Sequence, residues 1–326
     1  MTSAARQQRG GLHTAHAAPA PHVSEIIVMG VNAAILTVRG NEPVVAVVSG
    51  TGADGFAEDG LPGGAFSPSR HASLEESLRS WVRQQTGLDI GTVRQLCTLA
   101  DPPDADAHPM AFSVCYMALV ADDQGRDGSG AAWRSWYTYF PWEDWRKGKP
   151  ACLGETIEPP LRAWAAASGG SDRSRRVRIC FGLDGAAWDE EKVLERFDLL
   201  CEAGLAAGNG DDAAPGLPRG MPGNHARVLA SAIGELRRAI KWRPVIFELM
   251  PDLFTLFELQ KTVEAILGPH LHKQNFRRLV EGVGLVEPTG EFRSRTGGRP
   301  AQLYRFRRDV VLEHPAPGVR LKPGRV

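Results

Sequence analysis

Six consecutive residues near the C-terminus, Lys273-Gln274-Asn275-Phe276-Arg277-Arg278, set cations and amides around one aromatic side chain. On a helix, Phe276 joins Leu279, Val280 and Val283 in an apolar stripe. Lys273, Gln274, Asn275, Arg277 and Arg278 then share the opposite face. In a DNA major groove, Asn and Gln can bond adenine in bidentate fashion, and Arg can do the same with guanine. Further on, Arg293, Arg295 and Arg299 flank Gly297-Gly298, a hairpin tip whose cations can reach phosphates or the adjacent minor groove. The same residues also fit a solvated basic face on a protein-interaction unit. Asn, Gln and Arg mixed on one face, beside a basic tip, favour DNA.

Charge distribution agrees. The chain has 326 residues and a formal net charge of zero, with 38 basic and 38 acidic residues. From Leu271 to Val326, however, 12 Lys and Arg face 5 Asp and Glu. A basic segment on an acidic body suggests a polyanionic partner. The five cysteines, Cys97, Cys115, Cys152, Cys180 and Cys201, contain no C-x-x-C pair, which excludes a disulfide framework or a Cys-rich zinc module. His71, His108, His225 and His270 lack metal-ligand spacing, so no metal site is expected. No apolar run is long enough to span a bilayer. Residues 1–22 have no apolar signal core, so a cytoplasmic location and no membrane partner are expected.

Chain length predicts about two domains. After a disordered tail over 1–22, strands are predicted at 25–29, 33–38 and 44–48, separated by Gly and Asn. A helix runs from Ser73 to Thr86, with a Ser73/Glu76 capping box, an inner face of Leu74, Leu78 and Val82, and Gly87 as C-cap. Strands follow at 93–99 and 111–120. Trp133–Trp145 is an aromatic cluster. A helix is predicted over Ala187–Ala207, and another from an Asn224 cap to Trp242. The latter carries Leu229, Ile233, Leu236 and Ile240 inward and Arg237, Arg238 and Lys241 outward. Pro244 marks the domain boundary. Beyond it come a short turn at Val245–Leu249, a helix over Leu256–Leu267 capped by Thr255 and Glu258, and the basic helix from Lys273 to Val283. The hairpin completes a winged helix-turn-helix over 243–311, before a tail at 312–326.

The run from Asn224 to Phe306 contains HARVLASAIGELRRAIKW, FELMPDLFTLFELQKTVEAILG, HKQNFRRLVEGVGLVEPTG and GRPAQLYRF. It resembles the C-terminal half of the Nudix-related transcriptional regulators of NAD metabolism (the NrtR family). In that family FTLxELQ opens one helix, NFRR lies in the recognition helix and GRPAxLYRF forms the return strand of the wing. His272 departs from the acidic N-cap expected there. FGLDGAAWDEEKVLERFDLL and PWEDWR resemble the alphaproteobacterial branch of these regulators.

The resemblance implies an α+β chain: an N-terminal Nudix-like α/β/α sandwich, over 23–242 with an insertion at about 170–222, followed by the winged helix. The Nudix box reads G-x5-E-x7-R-E-U-x-E-E-x-G-U, with U aliphatic, and its glutamates hold magnesium. Leu61-Pro62-Gly63-Gly64 resembles the entry and Thr86-Gly87-Leu88 the exit. Anchored on Gly87, the acidic positions fall on Ala72, Trp81, Gln84 and Gln85, with the loop after Gly64 two residues longer than the consensus. None of these side chains is a carboxylate, and Mg²⁺ requires hard anionic oxygens. Glu75 and Glu76 suit a helix N-terminus better than a metal. No catalytic residues and no required cofactor are therefore expected.

A pocket without its metal still suits a nucleoside diphosphate. The resemblance implies an effector such as NAD, ATP or ADP-ribose. Gly63, Gly64, Arg134, Trp136, Trp142 and Arg146 are the candidate effector residues: indoles for stacking adenine, arginines for phosphate. The Trp cluster fits a core or dimer interface equally well. The chain is thus expected to be a homodimeric repressor of NAD-biosynthesis genes, reading a palindromic operator in double-stranded DNA. The alternatives are a Nudix pyrophosphatase acting on ADP-ribose or NAD, and a winged-helix protein-interaction adaptor.

Overall fold

A computed structural model describes residues 28–51, 57–101, 111–122, 132–167, 171–206, 214–218, 220–294 and 300–309. Of the strand predicted at 25–29, residues 25–27 lie outside the described residues; positions 28 and 29 and the second predicted strand belong to one element, β1 (Val28–Arg39). Asn32 does not break it, because tertiary pairing holds it on both sides, with Gly63 and with Cys115. β2 (Glu42–Thr51), β3 (Ala57–Gly60), β4 (Gly63–Ala65), β5 (Val93–Asp101), β6 (Ala111–Leu119) and β7 (Ala132–Ser135) complete a mixed sheet of order β3-β2-β1-β6-β5. β4 pairs with β1 and β7 with β2, and the β1–β6 pair is parallel.

Alternation along β1 divides the core. Val31, Ala33 and Ile35 face Leu78 and Val82 of α1 (Leu74–Thr86). Ala34 and Leu36 face the opposite layer, which includes α5 (His225–Trp242). This is an α/β/α sandwich. α1 is bounded as its caps dictate: Ser73 accepts from the Glu76 amide, and Gly87 closes the helix at φ 71°. The Glu76 carboxylate reaches the Ala72 amide, one residue before the cap.

The helix predicted over 187–207 is shorter, α4 (Val193–Glu202). Before it, the Asp189 carboxylate accepts from the Glu191 amide and the Asp189 carbonyl accepts from Arg196, so these residues form a turn. α2 (Glu158–Ala167) and α3 (Ser171–Cys180) precede it, and sequence periodicity did not disclose them. On α5, Leu229, Ile233, Leu236 and Ile240 are buried as expected. Asn224 makes no side-chain cap and donates instead to the Ala100 carbonyl. Arg237, expected outward, is completely buried. α5 lies beneath other elements on more than one side, so an arginine can sit inside where acceptors meet it.

Past Arg243 the chain forms a 3₁₀ turn at Val245–Leu249, α6 (Leu256–Leu267), α7 (Lys273–Gly282), and the hairpin β8 (Val286–Arg293) and β9 (Ala301–Phe306). Thr255 and Glu258 form the reciprocal capping box of α6. Phe254 exchanges two backbone hydrogen bonds with Tyr304, adding a third edge to the wing. Ile246, Leu259, Val263, Ile266, Phe276, Val280 and Tyr304 belong to the same apolar cluster as α5 and the lower face of the sheet. Among the described residues no helix is long and apolar enough to cross a membrane.

Candidate DNA-binding face and sensing cleft

α7 is the basic helix, and its two faces separate cleanly. Phe276 and Val280 are buried, whereas Lys273, Gln274, Asn275, Arg277 and Arg278 are all exposed. His272 supplies no side-chain cap. The preceding turn is instead set from α6. Gln260 donates to the Leu271 carbonyl and to Glu264, and Glu264 accepts from the Leu271 amide and from Lys261. Burial pushes the Glu264 carboxyl up, but Lys261, the Leu271 amide and Gln260 together outweigh it and hold the group below its ordinary range. Gln260 and Glu264 thus fix where α7 starts, a role that sequence spacing did not reveal.

The wing is tied to both helices. Arg293 forks onto Glu258 at 3.0 and 3.2 Å and reaches the Leu253 carbonyl at 3.2 Å. Its charge is therefore shared with the α6 cap. Arg277 donates to Glu281 at 3.1 Å and to the Tyr304 hydroxyl at 3.2 Å, so the return strand steadies an arginine of α7. A groove of about 480 Å³ runs between the start of α6, α7 and the wing. Lys273 and Arg277 line it beside two exposed aromatics, Phe257 and Phe292. Those aromatics were not singled out from sequence. Arg295 and Arg299 lie outside the described residues.

The cleft expected in the N-terminal unit is built differently from the expectation. Gln85 forms a two-bond clasp with Gly63, donating to its carbonyl at 2.9 Å and accepting from its amide at 2.8 Å. Trp81 lies on Gly64 and donates to the Ala65 carbonyl at 3.0 Å. A Cβ at Gly64 would stand 2.4 Å from that indole, and one at Gly63 would stand 2.2 Å from the Val31 carbonyl oxygen. Both glycines are thus demanded by close packing. Two of the positions that carry acids in a Nudix box are occupied by a clasping amide and a packed indole. These donors do not fit magnesium, which needs carboxylate oxygens. Among the described residues no group of three or more His, Cys, Asp or Glu could hold a metal ion.

Three of the candidate effector residues are corrected. Trp136 and Trp142 are 0% and 2% exposed, with no free ring face for a base. Both belong to the core, Trp142 packing edge-on against Phe140. Arg146 is held by Asp144 and Glu42 and stacks over Tyr137, so carboxylates already occupy its phosphate-binding edges. Arg134 remains half-exposed at the sheet edge, paired with Asp59, which also accepts from Tyr139.

Beneath these residues is a buried ionic cluster. Glu143 is flanked by Arg196 and Arg237, each with a 2.6 Å contact and all three buried. Burial raises the Glu143 carboxyl, and the two guanidiniums reverse that and bring it below its ordinary range.

The fold and face together define an α/β/α sandwich joined to a winged helix whose helix α7 is basic and solvent-facing. Residues 246–306 match the NrtR DNA-binding winged helix domain. The "ADPR responsive transcriptional repressor NtrR" of Acinetobacter baylyi is 43% identical over 83 residues, 26% of this chain and 33% of that protein. The match thus spans about a third of the relative's length. Shewanella oneidensis NrtR complexed with a 27mer DNA has the same fold, with TM-score 0.52 and 21% identity over 87% of this chain and 95% of the other. NrtR of the same organism without DNA gives TM-score 0.51 and 22% identity over 86% and 95%.

Proposed function

We propose that this chain is a ligand-responsive DNA-binding transcriptional regulator, acting as a repressor of NAD-biosynthesis genes. The observation that carries the reading is the division of α7: five polar or cationic side chains outward, Phe276 and Val280 inward. It is supported by the winged-helix family match and by the repressor named among its relatives. Residues 23–242 serve as the sensing and dimerising unit and 243–311 as the DNA-reading unit, Lys273, Gln274, Asn275, Arg277, Arg278, Arg293, Arg295 and Arg299 being its contact set. A homodimer presents two such faces to a palindromic operator.

The effector is an adenine nucleotide, NAD, ATP or ADP-ribose, held in the N-terminal unit near Gly63, Gly64 and Arg134. Because Trp81 and Gln85 stand where carboxylates are needed, the unit senses such a ligand without hydrolysing it. A gel-shift titration on the chain's own upstream DNA, with and without each nucleotide, tests the proposal. Saturable, salt-sensitive retention that one nucleotide alters supports it. Retention equal to that on unrelated DNA, or turnover of ADP-ribose with Mg²⁺, refutes it.

A further inference from the structure

Cys115 lies in β6 and Cys97 in β5, and the two are register partners across the antiparallel pair. The register shifts between Gln95 and Cys97, so Leu96 and Cys97 together oppose Cys115, as in a β-bulge. All three side chains then turn to the face that packs with α5, while Tyr116 serves the other. Opposed residues of an antiparallel pair have Cα atoms about 4.5–5.5 Å apart, within the roughly 4.4–6.8 Å that a disulfide spans. Both cysteines are reduced thiols, Cys115 fully buried and Cys97 partly open. A hydrogen bond with Cys115, and the positive charge of Arg227 on α5 against the opposing effect of burial, lower the Cys97 thiol to about 7. Burial pushes Cys152 and Cys180 the other way.

We propose that Cys97 and Cys115 form a peroxide-oxidisable pair that closes reversibly into a disulfide across β5 and β6. The Cys97 thiolate attacks one oxygen of hydrogen peroxide, the O–O bond breaks, and hydroxide leaves a sulfenic acid on Cys97. Cys115 then attacks that sulfur; the S–S bond forms, the S–O bond breaks, and the hydroxyl departs with the Cys115 proton as water. The two thiols lose two electrons and peroxide gains them. A dithiol reductant reopens the bond by exchange.

Full-length protein treated with hydrogen peroxide, alkylated under denaturing conditions and digested should yield a Cys97–Cys115 crosslinked peptide that dithiothreitol abolishes. In Cys115→Ser, dimedone should trap the sulfenic acid on Cys97. In the untreated protein near pH 7, iodoacetamide should label Cys97 about ten-fold faster than Cys152, because the thiolate is the reactive form. Peroxide-treated protein in which both cysteines remain alkylatable, or in which Cys97 is oxidised without linking to Cys115, would overturn the proposal. So would equal labelling of Cys97 and Cys152.

Discussion

The Arg237 guanidinium on α5 donates through Nε to the carbonyl oxygen of Ile266, 2.9 Å away in the last turn of α6, and neither residue reaches solvent. One residue earlier, the Ala265 carbonyl accepts from the Tyr137 hydroxyl at 2.9 Å. Carbonyls in the last turn of a helix lack intrahelical partners, so the N-terminal unit caps α6. Arg237 also binds Glu143, which binds Arg196. The placement of the winged helix against α5 is thus fixed by hydrogen bonds between buried groups.

Glu143→Gln should be among the most disruptive single changes in the chain. It leaves two buried guanidiniums facing each other without a compensating charge, at a cost of about 3–5 kcal/mol. Urea unfolding at pH 7 measures it; a midpoint unchanged from wild type would mean that the arginines find other acceptors.

Acid should destabilise the protein in a defined window. Glu143 and Glu264 both have carboxyls held below their ordinary range in the folded state. Groups shifted down contribute stability above the unfolded value, roughly pH 4–4.5, and lose it as pH falls through the folded value. Melting temperature should therefore be flat with respect to these two groups from roughly pH 6 to 8, and fall below about pH 4.5. The fall should be shallower in Glu143→Gln.

On the DNA face, Arg277→Ala and Arg278→Ala should each weaken operator binding while leaving the circular dichroism spectrum unchanged. Loss of a bidentate base contact costs about 1–3 kcal/mol. Loss of a phosphate contact instead lowers the slope of log affinity against log salt by about 0.9. Fluorescence anisotropy at several salt concentrations separates the two. Tyr304→Phe, which removes only the hydroxyl steadying Arg277, should produce a smaller loss in the same direction.

Restoring an acid to the first helix should not restore a metal site. Gln85→Glu removes the donor to the Gly63 carbonyl and sets a carboxylate against that oxygen, a loss of about 1–3 kcal/mol. Differential scanning calorimetry with and without Mg²⁺ checks this. A magnesium-dependent rise in melting temperature would contradict the packing role assigned to Gln85 and Trp81.

Local sequence determined the elements whose signals are local. Ser73 and Gly87 bound α1, Thr255 and Glu258 start α6, and the 3.6-residue stripe of α7 separates its two faces, because caps and helical periods act within a few residues. Tertiary structure decided the rest. Asn32 punctuates β1 on paper but is paired from both sides, and α3, rich in arginine, is held by contacts such as Arg176 with Glu202. Arg237 shares with Arg238 and Lys241 a sequence pattern that reads as a solvated stripe, yet acceptors distant along the chain, the Glu143 carboxylate and the Glu190 and Ile266 carbonyls, make its burial tolerable. Trp136 and Trp142 look like ligand-stacking residues until they are buried in the apolar cluster that the sheet shares with α4 and α5. Burial of a charge or an indole depends on which remote groups arrive beside it, and that is settled by packing in three dimensions.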